Sequence, residues 1–190
     1  MSTRPGLLMS SADERFLQIY ATYYKEVHAY CRRRTTADGA DDATAETFLI
    51  AWRKIDRVPE GSDALMWLYR TARGVVSNTW RGALRQKNLS RKLEGMGLDP
   101  VPMTDDVVIL RHDADQILQA LSRLRPKEQE VLRLAEWEDL SPREIAVVLD
   151  ISPEAARQRL SRARAGLARQ YNRLFSDTHS HSIAQEGGMW

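Results

Sequence analysis

Residues 153–169, PEAARQRLSRARAGLAR, carry five arginines against one glutamate, and the stretch from Arg70 to Lys92 carries seven basic residues and no acidic one. Cationic side chains at this density suit a polyanion: each can neutralise a phosphate, and arginine can also fork onto a base edge. Between the two stretches, residues 93–106 hold four acidic residues and no basic one. Two basic blocks parted by an acidic one point to two polyanion sites on one chain. The net charge of +2 hides this, because the signal lies in the distribution.

The spacing inside each block says how it is presented. With residues 153–169 wound at about 100° each, Ala156, Leu160, Ala163 and Leu167 form one narrow apolar stripe. Glu154, Gln158, Ser161, Arg162 and Arg169 face away from it, with Arg157, Arg159 and Arg164 on the flanks. Short polar groups and one arginine suit base edges in a major groove, and the flanking arginines suit phosphates. The plain alternative is a solvated helix face. In 64–85 the stripe is Leu65, Leu68, Tyr69, Ala72, Val76, Thr79 and Ala83, while Arg70, Ser77, Asn78 and Arg81 point away. Trp80 lies at the stripe's edge and Trp67 on the polar side. Basic groups interleaved with rings suit single-stranded nucleic acid, although each tryptophan taken alone is as well explained by packing on the neighbouring helices.

Nothing in the sequence forms a catalytic set. His28 and His112 stand alone, and the pair in HSH (179–181) is too small for a metal site. GMG at 95–97 lacks the helix and lysine of a phosphate loop. Carboxylates at 41, 42 and 46 sit a helical turn apart and are read as a solvated or partner-facing surface. The single cysteine, Cys31, excludes an internal disulfide and falls at core spacing with Tyr23 and Val27. No cofactor is expected. No apolar run reaches the roughly 18 residues that cross a bilayer, and MSTRPGLLMSSADER is a poor signal peptide, so the expected compartment is the cytoplasm.

The elements that must position these residues read as all-α. Residues 12–36 carry Phe16, Ile19, Tyr20, Tyr23, Val27 and Tyr30 at helical period, and TTADG breaks the pattern. A second helix spans 41–55, with Asp41 and Asp42 in its first turn and a stripe through Phe48, Ala51, Trp52 and Ile55. DRVPEGSD (56–63) is a loop and 64–85 a third helix; 87–112, with its glycines and prolines, reads as a linker. Four helices follow, at 115–124, 126–136, 142–149 and from Pro153. Pro126, Pro142 and Pro153 take first helical positions, and Ser141 with Glu144 makes a capping box. A short helix, the turn DIS and an arginine-rich helix make a helix-turn-helix.

Taken together, these blocks resemble bacterial sigma factors of the extracytoplasmic-function (group IV) type, over roughly residues 14–86 and 113–173. DDATAETFLIAWRKID is similar to the region 2.2 helix that docks on the β′ clamp helices of RNA polymerase. WLYRTARGVVSNTWR resembles regions 2.3–2.4, which melt and read the −10 element, and LRPKEQEVLRLAEWEDLSPREIAVVLDISPEAARQRLSRARAGL resembles region 4, which reads the −35 element. The resemblance implies two small helical domains, region 2 over 12–86 and region 4 over 113–174, joined by a flexible linker over 87–112. The polar tail 175–190 is expected to be disordered, unless Met189 and Trp190 pack on a domain or bind a regulator.

By the same resemblance, Asp41, Asp42, Glu46 and Arg53 would meet polymerase. Arg57 and the loop to Asp63, with Asn78 and Trp80, would lie near the flipped −10 bases, and Arg73, Arg81 and Arg85 would hold the backbone. Arg157, Gln158, Arg159, Ser161, Arg162 and Arg164 would meet the −35 duplex. The implied partners are core RNA polymerase, through its β′ clamp helices and β flap, promoter DNA, and an anti-sigma factor, with no membrane. The acidic linker would thread toward the polymerase cleft. Three positions depart from the family pattern: Ala45 stands for a usual glutamine, Gly74 for a common asparagine, and Ala155–Ala156 for Thr-Val. Two other readings fit parts of the chain: a stand-alone helix-turn-helix regulator with an N-terminal helical regulatory domain, and an adaptor that uses the 41–55 helix.

Overall fold

The computed structural model describes residues 10–94 and 111–186; of these, the side chains of Trp80, 82–94, 111–114 and 175–186 are not described. Seven α-helices and one 3-10 turn make up the described residues, and the chain divides into two compact units on either side of the Asp105–Asp106 bond.

The first unit holds α1 (Ser11–Arg32), α2 (Ala37–Arg53), the 3-10 turn Ile55–Arg57 and α3 (Asp63–Glu94). α1 and α2 each start where a side chain takes up an orphan backbone donor. Ser10 and Asp13 close a capping box on α1, with Ser10 Oγ accepting from the Asp13 amide at 3.2 Å and Asp13 Oδ2 from the Ser10 amide at 3.0 Å. Thr36 Oγ1 accepts from the Gly39 amide at 3.3 Å, so α2 begins four residues before the expected start. Asp38 therefore occupies its first turn, and Asp41 and Asp42 fall in the second.

The three helices pack on one another around Val27, Tyr30, Cys31, Phe48, Leu68, Tyr69 and Ala72. α2 buries Phe48 and Ala51 of the expected stripe and, beside them, the small residues Ala40, Ala43, Thr44 and Thr47. The two threonines qualify because each hydroxyl donates to the carbonyl four residues back at 2.7 Å, leaving only methyl groups to pack. Trp52, expected in that core, is 43% exposed and meets the Phe16 ring edge-on at 4.8 Å. On α3, Thr79 is likewise exposed, while Ala64 and Met66 are buried outside the expected stripe. α3 also runs to Glu94, eight residues into the stretch expected as linker. The remainder of that stretch up to residue 110 lies outside the described residues.

In the second unit α4 (Arg111–Ser122), α5 (Pro126–Glu136) and α6 (Pro142–Leu149) all pack on α7 (Pro153–Glu186). α7 gives the core Ala156, Leu160 and Ala163, set against Val131, Leu134, Ile145 and Val148. Buried Gly166 belongs to the same face: a Cβ there would stand 3.1 Å from Leu124 Cδ2, so the bare backbone lets α7 approach the α4–α5 corner. α7 continues through residues 175–186, where disorder was expected; no proline or glycine interrupts the segment before Gly187.

Candidate nucleic-acid interface

The helix-turn-helix rests on three local devices. Ser141 and Glu144 close the capping box of α6, at 3.4 and 2.8 Å. Asp150 ends α6 in the left-handed region (φ 56°), and the Ile151 amide reaches back to the Ala146 carbonyl at 3.1 Å, the wrap that commonly stops a helix. Ser152 Oγ then accepts from the Ala155 amide at 3.1 Å and starts α7.

On the outer face of α7, Arg157, Gln158, Ser161, Arg162 and Arg169 are exposed and Arg159 is half-buried. Gln158 Oε1 accepts from Arg162 at 3.3 Å, so the two groups stand side by side one turn apart. With Arg159 and Ala155 they line a shallow cleft closed on its far side by Glu128 of α5. Two flank arginines carry counter-charges. Arg157 pairs with Glu154 at 2.5 Å, within the helix. Arg164 reaches across to Glu136 of α5, with Nη2 at 2.9 Å and Nε at 3.2 Å, an ion pair that stays exposed at the surface.

The first unit carries a second surface. Trp67, Arg70, Gly74, Asn78 and Arg81 succeed one another at three- and four-residue steps and form one row along α3. Trp67 is half-buried; the others are exposed. Gly74 makes a notch in the row, since nothing lies within 4 Å of the place its Cβ would take. Arg73 is exposed beside it, and Arg81 Nε donates to the Ser77 carbonyl at 3.2 Å. Trp80 and Arg85 belong to α3, but their side chains lie outside the described residues.

The loop that precedes α3 is held from behind by Arg15, which has no place in the expected stripe of α1, and by Tyr23, which was expected there as a core residue. Arg15 of α1 donates through Nη1 to the Ile55 carbonyl at 2.9 Å and through Nη2 to the Val58 carbonyl. Tyr23 Oη donates to the Gly61 carbonyl at 3.0 Å. Val58 is buried as the loop's apolar anchor, and Arg57, Glu60 and Ser62 are left outward. These acceptors are backbone atoms some forty positions away, and such contacts leave no trace in residue spacing.

A third surface has another character. Asp42, Glu46, Leu49 and Arg53 follow one outer row of α2, with exposed Trp52 beside them. Leu49 is 40% exposed, so apolar and acidic groups mix there, as a protein partner requires. Asp41 lies aside from that row: its Oδ1 meets His28 Nε2 at 2.9 Å, and the His28 ring stacks on Tyr24. His28, expected to stand alone, therefore has two partners. Among the described residues no group of His, Cys, Asp and Glu is arranged to hold a metal ion, and no helix is long and apolar enough to cross a membrane.

One helical unit thus carries a helix-turn-helix with an arginine-bearing outer face, and the other a polar and basic row, a half-buried tryptophan and a braced loop. Residues 19–86 match the family model for sigma-70 region 2 and residues 114–167 that for sigma-70 region 4, together well over half of the chain. The chain belongs to the sigma-70 family of RNA polymerase sigma factors, in its extracytoplasmic-function branch. It is 29% identical over 151 residues to the RNA polymerase sigma factor YlaC of Bacillus subtilis, covering 78% of this chain and 87% of that one. It is 28% identical over 149 residues to the probable RNA polymerase sigma factor RfaY of Xanthomonas campestris, covering 76% of this chain but 37% of that one. In fold it is similar to the sigma factor RpoE of Bartonella quintana, solved in complex with the anti-sigma factor NepR: TM-score 0.61 at 20% identity, over 84% of this chain and 98% of the other.

Proposed function

We propose that the chain is a dissociable promoter-recognition subunit of RNA polymerase, with each of its three surfaces given one task. Gln158, Ser161 and Arg162 of α7 read base edges of the −35 element, while Arg157, Arg159 and Arg169 lie against phosphates. The α3 row and the loop from Arg57 to Asp63 hold the unpaired −10 strand, with Asn78 near the bases and Arg73, Arg81 and Arg85 along the backbone. Asp42, Glu46, Arg53, Leu49 and Trp52 dock on the polymerase clamp, and the acidic stretch after α3 follows the nucleic-acid path inside polymerase. The chain has no reaction of its own; trapping unpaired bases drives the melting. It works in the cytoplasm.

One observation supports this reading: a helix-turn-helix with an arginine-bearing outer face and a row of polar, basic and aromatic side chains suited to single strands occur on the same chain, in separate units. A stand-alone regulator has no use for the second. RpoE of Bartonella quintana was solved with an anti-sigma factor bound. By likeness of fold, we assign this chain a protein of that kind, one that covers the same surfaces when polymerase is absent.

The test adds the purified chain to bacterial core polymerase on a genomic DNA library and maps RNA starts. Starts that need both proteins and share a two-part upstream motif are expected, with their loss on Arg162→Ala. Duplex binding by the chain alone, without new starts, would favour the stand-alone regulator.

A further inference from the structure

We infer that Arg15 and Tyr23 of α1 form a latch that presets the loop 55–61 for base capture before DNA arrives. The inference rests on the reading of that loop as a −10 contact and adds the residues that position it.

A carbonyl oxygen has two lone pairs: those of Ile55 and Gly61 already accept from the Val58 and Ala64 amides, each at 3.2 Å, and each can take a second donor, a charged one more strongly than a neutral one. Arg15 uses both arms of its fork, one on Ile55 at the start of the 3-10 turn and one on Val58 at its end. The two contacts span the turn and fix its pitch. Tyr23, two helical turns further along α1, takes the Gly61 carbonyl at 3.0 Å. Gly61 sits at φ +61°, a conformation open to glycine at no steric cost, and nothing lies within 4 Å of the place its Cβ would take. Tyr23 thus pins the bend where the loop turns toward α3. Between the two points Val58 plugs the core at 2% exposure, while Arg57, Glu60 and Ser62 remain outward. The loop is fixed from behind and open in front, so a base entering it would not have to order it. Preorganisation of this kind lowers the entropic cost of binding.

Arg15 touches no DNA in this scheme; it acts through the loop. Lysine is a point donor and cannot span both carbonyls, so Arg15→Lys should keep part of the function and Arg15→Met very little. Tyr23→Phe removes one hydroxyl and keeps the ring in place.

The experiment uses the full chain bound to core polymerase and a promoter found in the transcription test above. Three quantities are read for each variant: affinity for core polymerase, affinity of the assembled complex for the single-stranded non-template −10 strand, and its discrimination among the four bases at each position. Arg15→Met is expected to keep core affinity, to lose about tenfold on the preferred strand and to flatten base discrimination at the captured position. Arg15→Lys should recover part of the loss, and Tyr23→Phe should show a smaller loss with core affinity kept. Unchanged discrimination in Arg15→Met and Tyr23→Phe would overturn the latch, as would equal losses toward core and strand. Should Arg15→Met fail to fold, Arg15→Lys and Tyr23→Phe decide the matter on the same readings. A wild-type complex that transcribes yet shows no base preference on the single strand would sink the loop reading, and the latch with it; failure of the latch alone shows only in the variants.

Discussion

Arg162 and Arg164 stand two positions apart on α7, yet they have different work. Arg162 is exposed beside Gln158, whereas Arg164 is spanned by Glu136, an exposed pair worth at most about 1 kcal/mol to folding. Arg162→Ala should lower affinity for the −35 duplex in the polymerase complex by roughly 5- to 150-fold, the range for one good base contact. Glu136→Gln should do the reverse and gain roughly two- to fivefold, because it releases the Arg164 charge toward phosphate. Anisotropy titrations on a labelled −35 duplex read both. Cys31 offers another residue-level check. Burial pushes its thiol above the ordinary range, against smaller opposing effects from a Thr44 hydrogen bond and the Arg34 charge. A folded-state pKa above the unfolded one means that stability is fully present below the ordinary thiol range and is lost as pH rises through the folded value. Reaction with a thiol reagent should therefore be slow in the native chain and fast in urea, and the contribution of Cys31 to thermal stability should be lost in alkaline solution.

The helices of the second unit were largely legible before the structure. Proline at a first position and serine just before it mark the starts of α6 and α7, and both caps form. Ser141→Ala should lower the unfolding free energy by about 1 kcal/mol in urea titration, since it orphans the Glu144 amide. α2 was less legible, because TTADG looks like a break; Thr36 instead caps and the helix runs on through Gly39. Its buried face was read through Phe48 and Ala51 but not through Thr44 and Thr47, which are polar by type yet apolar once their hydroxyls turn back on the helix. The candidate site divides in the same way. Faces set by helical period, such as Gln158, Ser161 and Arg162, could be read from spacing, whereas Arg15, Tyr23 and Glu136 act across the fold and could not. Gly74 sits mid-helix in open space, so Gly74→Ala should raise the thermal stability of the first unit by roughly 0.5–1 kcal/mol.

At the scale of the molecule, the first unit exposes acidic and apolar groups on α2 and cations on α3. The second offers a further cationic face on α7. Binding that releases counterions from phosphate weakens with salt in proportion to the cations engaged. Replacing Arg157 or Arg169 by alanine should flatten the slope of log affinity against log salt by about 0.9 each, while Gln158→Ala lowers affinity at all salt concentrations and leaves the slope alone. Titrations of the polymerase complex on promoter duplex across a salt series separate the two classes. A residue that lowers affinity without touching the slope is reading bases; one that flattens the slope is holding phosphate.

The division of α7 into an inner and an outer side has a consequence for descent. Ala156, Leu160, Ala163 and Gly166 hold the second unit together, while Gln158, Ser161 and Arg162 look outward from the same helix. Folding constrains one set of letters and, on the proposed function, DNA sequence the other, so a duplicated copy could acquire a new address by changes on the outer side alone. A lineage can then add regulons without having to invent a new fold for each.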